Sequence, residues 1–327
     1  MTAKYQLYTK KNMHKKKLID SHGRVIHKLR VQITDACNFR CFYCMPQQAQ
    51  FTPSQELLSY SEIIDICSNL VDFGIDEMRV SGGEPTLRKD FCDIIRGLSK
   101  LPVERLGVTT NGFFLKDILP ELKDSKCQHI NVSLDSLDQD TFRKITKTEY
   151  FDKAFKSIVM AKKMDFHVKV NIVILRGIND HELFDFIKFS AQYGVEVRFL
   201  ELMKIGPYHK NHSQLFVPAQ ELIERIEDKE LLEPQSVNCD STSFNFHTSS
   251  GAKIGFIASE SQPFCGFCSR LRLTATGKLR ACIMSEAGMN LRGVNKELYP
   301  EILQSVLGMK PTDRIDHIKQ PMYQIGG

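Results

Sequence analysis

No apolar run in this sequence approaches the ~20 residues that a membrane-spanning helix needs. The longest, around Ile172–Leu175, has the length of a β-strand, so no membrane partner is expected. Charge of one sign is also scarce. Lys and Arg number 44 against 39 Asp and Glu, a net +5, which is too weak and too dispersed to argue for nucleic-acid binding. The exception is the N-terminus, where Lys4, Lys10, Lys11, Lys15, Lys16 and Lys17 precede the first acid, Asp20. That stretch lacks the apolar segment of a secretory signal and has no arginine before Arg24, unlike a transit peptide. Residues 1–17 therefore read as a basic, solvated lead-in. There is no internal repeat and no low-complexity segment. What remains is an ordinary globular composition, 42% apolar and 25% charged, in a chain of 327 residues with room for about two domains.

The ten cysteines are unevenly placed: six fall in two tight sets, while Cys67, Cys92, Cys127 and Cys239 are scattered. Without a secretory signal the expected compartment is the reducing cytoplasm, where clustered cysteines read as metal ligands rather than disulfides. The scattered four are expected to be small buried apolar residues.

From residue 29 to 203, β-rich runs alternate with helical patterns. The predicted strands are Leu29–Thr34, Glu77–Ser81, Arg105–Thr109, His129–Leu134, Val168–Leu175 and Val195–Leu202. Predicted helices include Ser61–Phe73, Lys89–Leu98, Phe151–Met164 and Asp180–Tyr193, the first opened by Tyr60-Ser61-Glu62 before an apolar run at helical spacing. Such alternation implies right-handed crossovers and a parallel sheet. Six units point to an α/β fold, an open, partial (β/α)6 TIM-type barrel over residues 18–204. A doubly wound sheet fits the alternation nearly as well. In either case the C-terminal ends of the strands form the functional rim. Residues 205–327 read as a smaller α+β region, with a helix near Ala219–Lys229 and β-like runs at Ser243–His247, Ala252–Ile257 and Leu271–Ala275.

The first cysteine set, Cys37, Cys41 and Cys44, directly follows the first predicted strand. Three cysteines can hold three irons of a 4Fe–4S cube and leave the fourth iron open to a small molecule. Zinc, which normally takes four ligands and C-x-x-C pairs, fits poorly. Cys37-Asn38-Phe39-Arg40-Cys41-Phe42-Tyr43-Cys44 resembles the motif of the radical S-adenosylmethionine superfamily, and Ser81-Gly82-Gly83-Glu84-Pro85 resembles its Gly-Gly-Glu-Pro loop. That resemblance implies S-adenosylmethionine chelated at the open iron, cleaved by one electron to a 5′-deoxyadenosyl radical. Glycines in the second loop would allow close backbone approach to a ligand.

The second set, Cys265, Cys268 and Cys282, is again three cysteines, with Cys239 or His247 available as a fourth ligand should the site hold zinc. Within it, Ser269-Arg270-Leu271-Arg272-Leu273-Thr274 would place Arg270 and Arg272 on one face of a strand beside the set. Paired guanidiniums suit a polyanion, although a solvated basic strand face explains them as simply. Arg30, Arg79, Lys169 and Arg198 also fall at strand positions or ends; convergence on one barrel mouth, with Thr109 on the third rim loop, would make a triphosphate site.

Taken together, Leu29–Pro46, Arg79–Arg88, Val108–Gly112, Asn131–Leu137, Lys169–Leu175, Arg198–Met203, Phe264–Cys282 and the final Ile325-Gly326-Gly327 are similar to the GTP 3′,8-cyclase (molybdenum cofactor biosynthesis protein A) family along nearly the whole chain. The resemblance implies a lyase with two 4Fe–4S clusters, one on Cys37, Cys41 and Cys44 and one on Cys265, Cys268 and Cys282. It implies Tyr43, Gly83, Ser133 and Met203 at S-adenosylmethionine, and Arg30, Arg79, Thr109, Lys169, Arg198, Arg270, Leu271 and Arg272 at GTP. Arg270 and Arg272 join the first three cysteines as catalytic residues, and the tail Gly326-Gly327 enters the active-site region. In this family, hydrogen is abstracted from C3′ of GTP and the carbon radical adds to C8, the first step of molybdenum cofactor biosynthesis. A flavodoxin or ferredoxin would supply electrons, the product would pass to cyclic pyranopterin monophosphate synthase, and a homodimer is one assembly open to it. One residue departs from the family pattern: Glu77 stands where a lysine is expected, which puts one triphosphate contact in question if the carboxylate faces inward. The competing readings are a radical enzyme acting on a peptide or another nucleotide, and a zinc-stabilised binding protein.

Overall fold

A computed structural model describes residues 17–326; the predicted lead-in up to residue 16 and Gly327 lie outside the described residues. Among the described residues there are fourteen strands: β1 (Leu18–Ile19), β2 (Val25–Ile26), β3 (Lys28–Gln32), β4 (Glu77–Ser81), β5 (Arg105–Thr110), β6 (His129–Ser133), β7 (His167–Val173), β8 (Glu196–Leu200), β9 (Leu232–Gln235), β10 (Phe244–Thr248), β11 (Lys253–Ile257), β12 (Arg270–Leu273), β13 (Lys278–Arg280) and β14 (Gly288–Asn290). The helices are α1 (Tyr60–Asp72), α2 (Phe91–Ser99), α3 (Leu115–Lys123), α4 (Gln139–Thr146), α5 (Phe151–Lys163), α6 (Leu183–Tyr193), α7 (His212–Leu215), α8 (Ala219–Glu227) and α9 (Tyr299–Gly308).

Strands β3 to β8 pair in parallel and in sequence order. A doubly wound sheet reverses its order at a switch point; this one never does, which leaves the open partial barrel. The ring is not closed by β3 meeting β8. Instead β12 adds parallel to β3 at one edge and β11 adds parallel to β8 at the other. The antiparallel pairs β13–β14 and β10–β9 extend those edges further, so the α+β C-terminal region flanks the barrel on both sides of a single twelve-stranded sheet.

Alternation within the strands explains why the lumen is polar. In β3, Leu29 and Val31 are buried against the helices, while Lys28 and Arg30 face inward; β4 repeats this with Met78 and Val80 against Glu77 and Arg79, and β12 with Leu271 and Leu273 against Arg270 and Arg272. The apolar parity packs on helical stripes such as Ile63, Ile66 and Leu70 of α1, each fully buried aliphatic side chain contributing about 1.5–3 kcal/mol. The start of α1 differs from expectation by one residue. Ser59, rather than the Tyr60-Ser61 pair, is the cap: its hydroxyl accepts from the Glu62 backbone N–H, and the Glu62 carboxylate accepts from Ser59 N–H. Of the scattered cysteines, Cys67 and Cys127 are buried and Cys92 half-buried, as small apolar residues should be. Cys239 is exposed, because it sits in the connection between β9 and β10 rather than on a core-facing element.

Candidate active site

Three loops at the C-terminal ends of β3, β4 and β5 are locked to one another. The β3 loop carries Cys37, Cys41 and Cys44, and is tied to the end of α4 by Arg40 N–H to the Thr146 carbonyl (2.9 Å) and Phe42 N–H to the Ile145 carbonyl (3.2 Å). The β4 loop donates from Gly83 N–H to Thr34 O (2.9 Å) and from Glu84 N–H to Ala36 O (2.8 Å). A Cβ on Gly83 would lie 2.3 Å from Asp35 O, so here glycine is demanded by the neighbouring loop rather than by approach to a ligand, as the sequence had suggested. Glu84 is fully buried and accepts from Thr86 Oγ1 (2.6 Å), Thr110 Oγ1 (2.7 Å) and Asn111 N–H (2.6 Å), joining the β4 loop to β5. Burial raises its pKa against those donors.

Tyr43, beside Cys44, donates its hydroxyl to Asp135 Oδ2 at 2.6 Å, and Val173 N–H donates to the other oxygen at 2.9 Å. Burial pushes Asp135 up to about 6 despite these bonds. The thiols of the first set feel one another's charge, and burial holds Cys41 and Cys44 above the ordinary thiol range. Asn111 Nδ2 lies 3.9 Å from Cys37 Sγ.

The second set is built differently. Cys265 and Cys268 bracket one helical turn closed by Cys268 N–H to Cys265 O (3.2 Å), β12 follows at once, and Cys282 comes just after β13. Arg24, held by buried Asp20 at 2.6 Å, donates to Cys265 O at 2.7 Å. Arg270 Nη2 and Lys310 Nζ reach Cys268 Sγ at 3.5 and 3.4 Å. Burial opposes ionisation of Cys268, but Arg270 and Lys310 outweigh it and bring the thiol down to about 6. Cys239 and His247 are both exposed. Among the described residues no three Cys, His, Asp or Glu side chains converge on a point suited to one metal ion. Two separate trios of thiols, without histidine or carboxylate, instead match the donor chemistry of cubes whose corners are individual irons.

A cavity of about 270 Å³ reaches from Tyr43, on the loop of the first set, to the second set. Arg30, Tyr43, Arg79, Thr109, Arg198 and Met203 line its barrel side; Cys265, Cys268, Cys282, Arg270 and Arg272 line the other. Gly326 closes one wall, its carbonyl accepting from Arg272 Nη1 (2.9 Å) and Ser81 Oγ (3.2 Å). A further hollow of about 390 Å³ toward the N-terminal ends of the strands shares Arg30, Arg79, Arg198 and Arg270 and adds Lys169 and Glu77. Glu77 does face inward, with Arg105 at 3.6 Å and Lys28 at 4.0 Å; Lys169 and Arg198 share Glu196 at 2.8 and 2.6 Å. Arg30 is different: it makes no hydrogen bond or ion pair among the described residues. Burial, then the charges of Arg79, Arg270 and Arg272, lower its pKa. Arg79 and Arg272 are each pulled down to about 10, by burial first and then by Arg198 and Arg270 respectively.

Among the described residues, seven expected ones are not on the cavity wall: the β3 loop reaches it through Tyr43 and not through Cys37, Cys41 or Cys44, Lys169 lines the other hollow, and Leu271, Gly83 and Ser133 also lie off it. Leu271 is wholly buried in the hydrophobic core, because strand alternation turns it away from its arginine neighbours. Gly83 lies between loops, and Ser133 is half-buried at the end of β6. Conversely Glu84, Asn111, Asp135 and Lys310 were assigned no role by the sequence. The first three lie in or beside motif segments, where a polar residue on a rim loop was the available signal; nothing in the sequence marks Lys310.

Two family models match: the Radical SAM superfamily over residues 31–190, and Molybdenum Cofactor Synthesis C over residues 195–316. The chain is 43% identical over 312 residues to the GTP 3′,8-cyclase of Synechocystis sp., covering 95% of each. The chain belongs to the GTP 3′,8-cyclase family. It is 36% identical to the family member from Clostridium botulinum, covering 95% of this chain and all of that one. It is also 36% identical to molybdenum cofactor biosynthesis protein moc-5 of Caenorhabditis elegans, covering 86% of this chain and 48% of that one. The fold is that of Streptococcus suis SuiB bound to S-adenosylmethionine, with TM-score 0.65 at 13% identity, covering 88% of this chain and 69% of that one. As a member of this family the chain is a radical S-adenosylmethionine enzyme with 4Fe–4S clusters as cofactors.

Proposed function

We propose that the cavity reaching from Tyr43 to the second cysteine set takes GTP and S-adenosylmethionine together, and that the enzyme joins C3′ of the nucleotide to its own C8. The observation that carries this reading is Arg30. A half-buried guanidinium with no hydrogen-bond or ion-pair partner among the described residues, flanked by Arg79, Arg270 and Arg272, is stabilised by an anion beside it, and a nucleoside triphosphate supplies several negative charges. A neutral peptide would leave this group unpaired, which disfavours the peptide reading.

In this reading Cys37, Cys41 and Cys44 hold one cube and Cys265, Cys268 and Cys282 the other. When bound, the first supplies the electron that cleaves S-adenosylmethionine. Tyr43, oriented by Asp135, and Met203 form the adenosylmethionine side of the cavity, which Gly83 serves by letting the β4 loop close on the β3 loop and Ser133 by its place at the end of β6. Arg270 and Arg272 project side by side from β12 and orient the nucleotide at the second set, while Arg30, Arg79, Thr109 and Arg198 grip it from the barrel. Leu271 contributes only its main chain. Lys169, with Glu196, works in the lower hollow. Glu77 lowers the positive charge there, but Lys28 and Arg105 beside it leave the hollow cationic. Gly326 caps the cavity through Arg272, excluding water from the reacting carbons, and the role expected of Gly327 falls outside the described residues.

The division into residues 18–204, which make the barrel, and 205–327, which supply the second set and the tail, is part of this proposal. So are three associations: transfer of product to cyclic pyranopterin monophosphate synthase, reduction by a flavodoxin or ferredoxin, and a homodimer. Ten unpaired thiols, Cys239 exposed among them, suit a cytoplasmic location, and no helix among the described residues is long and apolar enough to cross a membrane. The test is anaerobic incubation of the reduced, reconstituted chain with S-adenosylmethionine and GTP. The expected products are 5′-deoxyadenosine and a cyclised nucleotide; absence of both, with clusters verified by iron content, refutes the proposal.

A further inference from the structure

The ammonium of Lys310 is an almost fully enclosed cation at the second cysteine set. Lys310 sits in the turn after α9 and is 3% exposed. Its Nζ donates to Cys268 Sγ (3.4 Å), to the Arg270 carbonyl (2.7 Å) and to the Ala281 carbonyl (3.0 Å). Three acceptors consume three N–H bonds, the complement of a charged ammonium. The acceptors come from three places: one cysteine, the first residue of β12, and the residue preceding a second cysteine. No carboxylate pairs with Lys310 among the described residues. A buried ammonium without a counter-ion is costly, and among the described residues the groups of opposite charge that act on it are the sulfurs of the second set, Cys268 first and then Cys282.

We propose that Lys310 is a positioning residue that sets the reduction potential of the second cluster. The inference rests on Cys265, Cys268 and Cys282 holding that cluster. Hydrogen bonds to ligand sulfur and local charge both tune such potentials. A fixed positive charge at a ligand sulfur favours the reduced cluster, which carries one more negative charge, and so raises the potential. The same side chain fixes the spacing of the loop that carries Cys282 from the strand that follows Cys268, because it bonds both main chains at once. The first set has no equivalent: Cys37 Sγ meets the Phe39 N–H at 3.4 Å and the Asn111 amide at 3.9 Å, both neutral donors. Lys310 therefore separates the two clusters in potential, the second lying above the first.

The experiment compares Lys310→Met, Lys310→Gln and Lys310→Arg in the full chain, reconstituted anaerobically. Iron content and an EPR-monitored redox titration are read for each, with Cys44→Ala as a background in which the second cluster is observed alone. Wild type with only about four irons, and no second cluster signal, would refute the two-cluster reading before any variant is judged. Given that signal, Lys310→Met is expected to move the second midpoint to more negative potential. Lys310→Gln should move it less, and Lys310→Arg should leave it near wild type, while the first cluster stays unmoved. Loss of the second cluster from Met and Gln but not from Arg also places the charge at the sulfur and supports the proposal. An unmoved midpoint in Lys310→Met, or loss of the cluster from all three, shows that Lys310 only packs and overturns it.

Discussion

The two cysteine sets share one donor chemistry and sit in opposite electrostatic surroundings. Around the first, acids outweigh the one cation, Arg40, that acts on Cys37: burial comes first, Glu84 acts on Cys37 and Asp135 on Cys41 and Cys44, and together they push Cys37 up to about 11 and Cys44 up to about 12. Around the second, Arg24 grips the Cys265 carbonyl and Arg270 and Lys310 reach the Cys268 sulfur. The difference follows from the strands that carry each set. The β3 loop packs against polar rim loops closed over their own carboxylates, whereas β12 delivers its inward parity, two arginines, straight into the lumen. Only the second trio lines the cavity, while the loop of the first reaches it through Tyr43, so the cavity runs from the side with acids that repel anions to the side that attracts them. An anionic nucleotide is drawn to the second set, leaving the first to a ligand that brings its own positive charge, such as a sulfonium.

The largest expected effect breaks the pair outright. Cys44→Ala should lower the iron of a reconstituted preparation from about eight to about four per chain and abolish 5′-deoxyadenosine. Cys268→Ala should lose the same iron yet still release 5′-deoxyadenosine, with cyclised nucleotide falling by roughly 100-fold because the substrate is no longer held in register. If the two variants give the same product pattern, the division of labour between the sets is wrong.

A smaller effect sharpens the electrostatic side of the comparison. Arg30→Ala removes the guanidinium that has no protein partner, so its loss should be felt only when the anion is bound. A lost charge-assisted hydrogen bond costs about 1.5–3 kcal/mol, or roughly 10- to 150-fold in the apparent KM for GTP, with iron content and thermal stability unchanged. Arg270→Ala and Arg272→Ala should raise the KM likewise with iron retained. Arg272→Ala should also loosen the tail, which it holds through the Gly326 carbonyl, and show a lower kcat that Arg30→Ala does not. Steady-state kinetics on the three variants decide this.

How much of this was legible in the sequence depended on how local the cause was. The six parallel strands appear within one or two residues of their predicted bounds, because each carries its own β-branched alternation. Strands β9 (Leu-Glu-Pro-Gln) and β14 (Gly-Met-Asn) have no such pattern; they exist because a neighbour supplies a ladder. Nor could the sequence show that β12 lies beside β3, since Arg270 pairs with Lys28 from the far end of the chain. The site followed the same division. Cysteine spacing and the Arg270–Arg272 alternation are local, and the structure brings Arg270 and Arg272 to one cavity wall with Cys265, Cys268 and Cys282. The same alternation turns the side chain of Leu271, which the family resemblance had included, into the core. Lys310 was invisible because its role comes from three acceptors on other segments, and Glu84 because a carboxylate in a Gly-Gly-Glu-Pro loop reads as ligand-facing until its donors from β5 and its own loop are seen.

The smallest effect tests whether the two sets also differ in how their scaffolds respond to pH. His27, just before β3, bridges Asp76 (2.7 Å) and Asp240 (2.8 Å). Asp240 also accepts from Lys28 Nζ (2.6 Å) and from Ser269 Oγ (2.7 Å), and Ser269 lies between Cys268 and Arg270. Burial disfavours the imidazolium, but Asp240 and Asp76 outweigh it and raise His27 from 6.5 to about 9. A histidine raised in the folded state contributes stability that is complete below its unfolded pKa, near 6.5, and disappears as pH rises through about 9. With the side chain about one-fifth exposed, the contribution is about 2 kcal/mol after allowance for solvent. His27→Gln should therefore lower the urea midpoint at pH 6 and match wild type at pH 9.5. Because the bridge runs to Ser269 and does not reach the β3 loop, the second cluster should be the one lost first from wild type as pH rises. Equal loss of both clusters along the same pH profile would show that the scaffolds are one unit and erase the contrast between them.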